Sequence, residues 1–125
     1  MEKKKLLVIE DDIVLQKALE DYLSAEGFEV KTAGDGETGV NMAMDENPDL
    51  ILLDIVLPKK DGYTVLQEVR ADEKTKNIPI VLLTNLGSIS DVEKALELGA
   101  TTYLVKADYK LEEVTAKIKD LLKIK

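Results

Sequence analysis

Leu50-Ile51-Leu52-Leu53-Asp54 is the stretch on which the fold turns. Four apolar residues follow one another and then stop at a carboxylate. Strict alternation would mark a strand with one wet face. An unbroken apolar run fits a strand covered on both faces, as in a parallel sheet. Leu6-Leu7-Val8-Ile9 and Ile80-Val81-Leu82-Leu83 repeat the pattern, and Phe28-Glu29-Val30 and Tyr103-Leu104-Val105 are shorter versions of it. The five runs recur at intervals of about 20 to 30 residues, which leaves room for a crossover helix between each pair.

The intervening segments carry helical spacing. Leu15, Leu19, Tyr22 and Leu23 share one face, and Gly27 supplies a stop. Val40, Ala43 and Met44 form a weaker stripe closed by Asn47-Pro48, and Val65, Leu66 and Val69 form a third. Ser90-x-x-Glu93 reads as a capping box opening a fourth helix, with Val92, Ala95 and Leu96 inward and Gly99 at its end. Leu111, Val114, Ile118, Leu121 and Leu122 give the clearest stripe, and Lys117, Lys119, Lys123 and Lys125 suit the negative end of that last helix. Strand and helix therefore alternate five times, and right-handed crossovers place helices on both faces of a doubly wound parallel sheet.

At 125 residues the chain has the length of one domain, taken as 1–125. Hydrophobic residues at 45% supply one core, and with charged residues at 34% the composition is that of a globular chain rather than a disordered one. The chain has no Cys and no His. That removes disulfides, thiolate or imidazole metal sites, serine–histidine catalysis and any phosphohistidine of its own. A net charge of −8 repels phosphate backbones, so no nucleic-acid binding is expected of this domain. No run approaches a membrane span, and Lys3-Lys4-Lys5 has no long apolar stretch behind it, so no membrane association and a cytoplasmic location are expected.

In open parallel sheets, ligands sit beyond the carboxyl ends of the strands. The first strand ends in Glu10-Asp11-Asp12, the third in Asp54, the fourth in Thr84 and the fifth in Lys106. Each has an ordinary explanation alone. The acid triplet suits a solvated helix start, Asp54 a turn, Lys106 a surface position and Thr84 a strand. Together they would be four coincidences at one edge. Carboxylates that face one another repel, and without His or Cys a hard divalent ion with oxygen ligands neutralises them. A carboxylate is also a nucleophile toward phosphorus, with metal and lysine balancing the phosphoryl charge and a threonine hydroxyl donating to it.

These residues resemble the receiver domains of two-component response regulators over essentially the whole chain. The resemblance rests on Glu10-Asp11 after Leu-Leu-Val-Ile, Asp54 after Leu-Ile-Leu-Leu, Leu57-Pro58-x-x-Asp61-Gly62, Thr84 after Ile-Val-Leu-Leu, Gly99-Ala100 and Tyr103-Leu104-Val105-Lys106, in that order. It implies a flavodoxin-like fold of strand order 2-1-3-4-5. It implies Asp54 as phosphoryl acceptor, and magnesium held by Asp11, Asp54 and the carbonyl of Val56 with Glu10 acting on metal-bound water. Lys106 would pair with the phosphoryl group, Thr84 would follow it, and Tyr103 would turn inward behind it. The partners implied are a sensor histidine kinase or histidine phosphotransfer protein and, through the fourth helix, fifth strand and fifth helix, a downstream target; the chain itself is expected as a monomer or weak dimer. Two positions depart from the usual pattern. Asn85 follows Thr84 where a small residue is usual, and Ala107 follows Lys106 where proline is usual, so a trans Lys106-Ala107 peptide is expected.

The expected function is thus a stand-alone, phosphorylation-controlled signalling module of a two-component system or phosphorelay, not an enzyme acting on a separate substrate. It is expected to catalyse only its own phosphorylation and dephosphorylation. Met1 and the ending after the fifth helix suggest a whole chain without an output domain. Two alternatives compete. An aspartyl-phosphate phosphohydrolase would want a second acid two residues after the nucleophile, where Val56 stands. A phosphorylation-independent pseudo-receiver would be favoured by missing acids or a missing lysine. Nucleotide binding is disfavoured because no phosphate-binding glycine motif occurs. Val56 and Leu86, two residues past the acceptor and the threonine, are apolar and are expected to shield an acyl phosphate from in-line water.

Overall fold

The computed structural model describes residues 3–84, 89–105 and 110–124, with the side chains of Thr84 and Ile89 left out. Strands and helices alternate as β1 (Lys5–Ile9), α1 (Ile13–Ala25), β2 (Glu29–Ala33), α2 (Gly36–Glu46), β3 (Leu50–Asp54), α3 (Gly62–Ala71), β4 (Ile80–Thr84), α4 (Ile89–Glu97), β5 (Thr102–Val105) and α5 (Leu111–Leu122). The strands form one parallel sheet in the order β2-β1-β3-β4-β5. This is the doubly wound, flavodoxin-like architecture that the resemblance implies.

The unbroken apolar runs are explained by two cores, one on each side of the sheet. Leu7, Ile9, Ile51, Leu53, Ile80 and Leu82 point to the side covered by α2, α3 and α4. Leu6, Val8, Leu50, Leu52, Val81 and Leu83 point to the side covered by α1 and α5. Because successive side chains leave a strand on opposite faces, the stretch of a strand that lies between two helical layers is apolar at successive positions. Burying one such leucine or isoleucine stabilises the fold by roughly 1.5–3 kcal/mol before conformational entropy is counted.

The edges depart from what the sequence pattern suggests. Phe28 is buried but precedes β2, which runs on through Lys31 and Thr32 to Ala33. As an edge strand β2 has fewer neighbours to cover it, so half-buried polar residues are tolerated and the apolar signal ends early. Ser90 lies inside α4, which already begins at Ile89, so it is not the capping residue. Leu96 is 39% exposed instead of inward, and Leu98 beyond the helix packs against the core in its place. Gly27 and Gly99 do close their helices, with φ of 100° and 113° that suit glycine.

Candidate active site

The parallel register decides the site. Leu6 to Ile9 pair with Leu50 to Leu53, so the next residues along the chain, Glu10 just past β1 and Asp54 at the end of β3, emerge side by side. The N–H of Glu10 donates to the carbonyl of Ala33 at 3.0 Å, which carries the sheet ladder one residue past β1. Carboxylate oxygens of Glu10, Asp11 and Asp54 then all lie within 4.8 Å of one another. Glu10 is 0% exposed and Asp54 6%, whereas Asp11 is exposed. Three like charges at this spacing repel by on the order of 1 to 3 kcal/mol per pair at the effective dielectric of a partly buried site.

The acid triplet divides its work. Asp12 is the cap of α1, its Oδ1 accepting from the N–H groups of Val14 at 3.0 Å and Leu15 at 3.2 Å. The N–H of Asp12 donates to Glu10 Oε2 at 3.1 Å. The solvated-helix-start explanation therefore fits Asp12 alone, and Glu10 and Asp11 are left to meet Asp54.

The loop after β3 is drawn back under the site. Val56 N–H donates to Asp54 Oδ1 at 3.3 Å, and Gly62 N–H donates to the Ile55 carbonyl at 2.7 Å. Asp61 caps α3 by accepting from Thr64 N–H at 2.9 Å. Val56 itself is 76% exposed. Thr84 ends β4 opposite Val105, and Tyr103 pairs with Leu82 in the sheet with its side chain 42% exposed. Lys106, Asn85, Leu86 and Ala107, and with them the Lys106-Ala107 peptide, lie outside the described residues.

The donor set is three carboxylates, two of them buried, with only hard oxygen atoms offered. That chemistry fits a hard divalent cation such as magnesium, which takes one or two carboxylates and keeps several waters.

The class this fold and acid cluster define is the receiver domain of response regulators. The sequence pattern of that family matches residues 6–119, and the chain belongs to it. Receiver domains are signalling modules rather than classical enzymes, and response regulators belong to two-component signalling, with histidine kinases as partners.

Among named relatives, the chain is 46% identical over 121 residues to the probable transcriptional regulator ycf27 of Cyanophora paradoxa, covering 97% of this chain and 49% of that one. It is 40% identical over 119 residues to the DNA-binding dual master transcriptional regulator RpaA of a Synechocystis strain, covering 95% and 49%. Among solved structures, a putative response regulator from Chloroflexus aurantiacus superposes with a TM-score of 0.91 at 34% identity, over 98% of this chain and 99% of that one. The receiver domain of the sensor histidine kinase PA1611 from Pseudomonas aeruginosa, solved with a magnesium ion coordinated in its active-site cleft, superposes with a TM-score of 0.87 at 33% identity, over 95% and 97%.

The chain thus spans about half the length of the relatives it matches. Those relatives are transcriptional regulators, one of them named as DNA-binding, so the expectations of a stand-alone module and of no nucleic acid find no support in them. None of the described helices is long and apolar enough to cross a membrane.

One contributor escaped the sequence reading altogether. Gln16 on α1 donates from its side-chain amide to the carbonyls of Glu10 at 2.8 Å and Ala33 at 3.3 Å. Nothing in the helical pattern distinguishes it from a solvated polar residue.

Proposed function

We propose that this chain is a phosphorylation-controlled receiver in which Asp54 accepts a phosphoryl group from a sensor histidine kinase or a histidine phosphotransfer protein. The observation that carries the reading is the convergence of Glu10, Asp11 and Asp54, from the ends of two adjacent buried strands, to within 4.8 Å. Asp54 Oδ forms the new bond to phosphorus as the bond to the donor nitrogen breaks. Asp11, Asp54 and the Val56 carbonyl would hold magnesium, with Glu10 behind them. When bound, the ion offsets the negative charge of the carboxylates and of the phosphoryl oxygens. Lys106 would pair with the phosphoryl group and Thr84 would donate to it. Tyr103, exposed on β5, would turn inward, and α4, β5 and α5 would form the surface that changes for a downstream target. The net charge of −8 sets the receiver itself against phosphate backbones by repulsion. In a longer protein like its relatives, any contact with nucleic acid would fall to the half that this chain does not match.

Val56 carries no group able to move a proton, which disfavours multiple-turnover hydrolysis at the same site. The test is incubation with a small-molecule phosphodonor and magnesium, followed by intact-mass measurement. One labile phosphoryl group on wild type and none on Asp54→Asn is the expected result. Continuous turnover of donor would support a phosphohydrolase, and no modification at all would support a pseudo-receiver.

A further inference from the structure

Asp11 is bracketed by a single residue, Gln16. The backbone N–H of Gln16 donates to the Asp12 carbonyl at 2.8 Å, and its side-chain amide donates to the Glu10 carbonyl at 2.8 Å. Gln16 thereby ties down carbonyls on both sides of Asp11, the most exposed of the three acids. The same amide reaches the Ala33 carbonyl at 3.3 Å, the group that also accepts the N–H of Glu10. It therefore sits at the fork where β1 and β2 part, and welds α1 to both strand ends there. Beside this brace, the Asp12 N–H donates to Glu10 Oε2 and the Asp12 carboxylate accepts from the N–H groups of Val14 and Leu15 in the first turn of α1.

We propose that Gln16 is a positioning residue for the acid cluster, fixing the main chain at Glu10-Asp11 so that the Asp11 carboxylate is held toward Asp54 and a divalent cation binds tightly. The proposal rests on reading the cluster as a magnesium site. It assigns Gln16 no contact with the ion. Groups that orient metal ligands typically contribute 10- to 100-fold to affinity, and a brace on the main chain of a partly exposed ligand falls at the low end of that range.

The test compares wild type, Gln16→Met and Ile118→Val by calorimetric titration with magnesium alone. Methionine keeps the length and helix preference of glutamine and the backbone bond to Asp12, but removes the side-chain amide that reaches the Glu10 and Ala33 carbonyls. Ile118→Val is a mild destabilisation in the α5 core, remote in sequence from the acids, and controls for lost stability. The expected result is magnesium affinity weaker by about tenfold in Gln16→Met and unchanged in Ile118→Val. Equal affinity in Gln16→Met and wild type, or equal weakening in both variants, would overturn the proposal. Amide hydrogen exchange at Asp12 in metal-free protein tests the brace separately. Exchange should quicken in Gln16→Met and not in Ile118→Val, and unchanged exchange would overturn it too. Wild type that binds no magnesium while the exchange result holds would fault the magnesium reading and leave the brace standing.

Discussion

Gly62 stands directly behind Asp54. Its N–H donates to the Ile55 carbonyl at 2.7 Å, and a Cβ at position 62 would lie 2.6 Å from the Asp54 carbonyl oxygen and 2.6 Å from the Ile55 Cα. The start of α3 is thus pressed against the backbone that carries the candidate acceptor, and only a residue without a side chain fits. Gly62→Ala overlaps main-chain atoms that have no rotamer to escape into. It should destabilise the fold by about 1–3 kcal/mol, read as a lower urea midpoint. A midpoint equal to that of wild type would mean the loop gives way without cost.

Asp54→Asn should leave the fold intact and abolish labile phosphorylation. It removes one charge from a cluster whose oxygens lie within 4.8 Å, so metal-free stability should rise by on the order of 1 kcal/mol. Denaturation and intact mass after treatment with a phosphodonor check both parts. Full phosphorylation of this variant at another residue would remove Asp54 from its assigned role.

Magnesium should raise the melting temperature of the wild-type chain by binding the folded state alone. Asp11→Ala should lose most of that rise, because it deletes one of three carboxylates while its exposed position makes the fold indifferent to the change. Undiminished magnesium stabilisation in the variant would count against Asp11 as a ligand.

With Asp54 as acceptor, the exposure of Val56 would bear on how long an acyl phosphate survives. At 76% exposed, this side chain does not pack into the core, so packing does not explain an apolar residue there. Replacing Val56 by Asn together with Leu86 by Glu should speed loss of the phosphoryl group severalfold in magnesium buffer, by letting polar groups hold an in-line water. Unchanged decay in the double variant would refute the shielding role.

What the sequence determined by itself was the alternation of strand and helix, and which residues end the central strands. The reason is physical. A stretch of strand covered on both faces is apolar at each position, so Leu6–Ile9, Leu50–Leu53 and Ile80–Leu83 announce themselves, and the first polar residue after each, Glu10, Asp54 and Thr84, stands out. The family motifs added the strand order, which no local pattern contains. Half-covered elements were less legible. β2 is an edge and its apolar signal stops early, and on α4 Ala95 is inward as expected while Leu96 is not, Leu98 beyond the helix packing against the core instead.

The resemblance had already set Glu10, Asp11 and Asp54 apart, but tertiary structure alone gave Asp12 its separate task and the acids their geometry. Asp12 turned to cap α1 while Glu10 was buried beside Asp54, and that depends on the register Ile9↔Leu53 between strands some forty residues apart. It alone brought Gln16 to the Glu10 carbonyl and Gly62 to the back of Asp54. Such contacts follow from where α1 and α3 leave the sheet and how closely they pack on it. A one-dimensional pattern of apolar and polar residues carries no distance between a helix side chain and a strand-end carbonyl, so neither could have been read before the chain was folded.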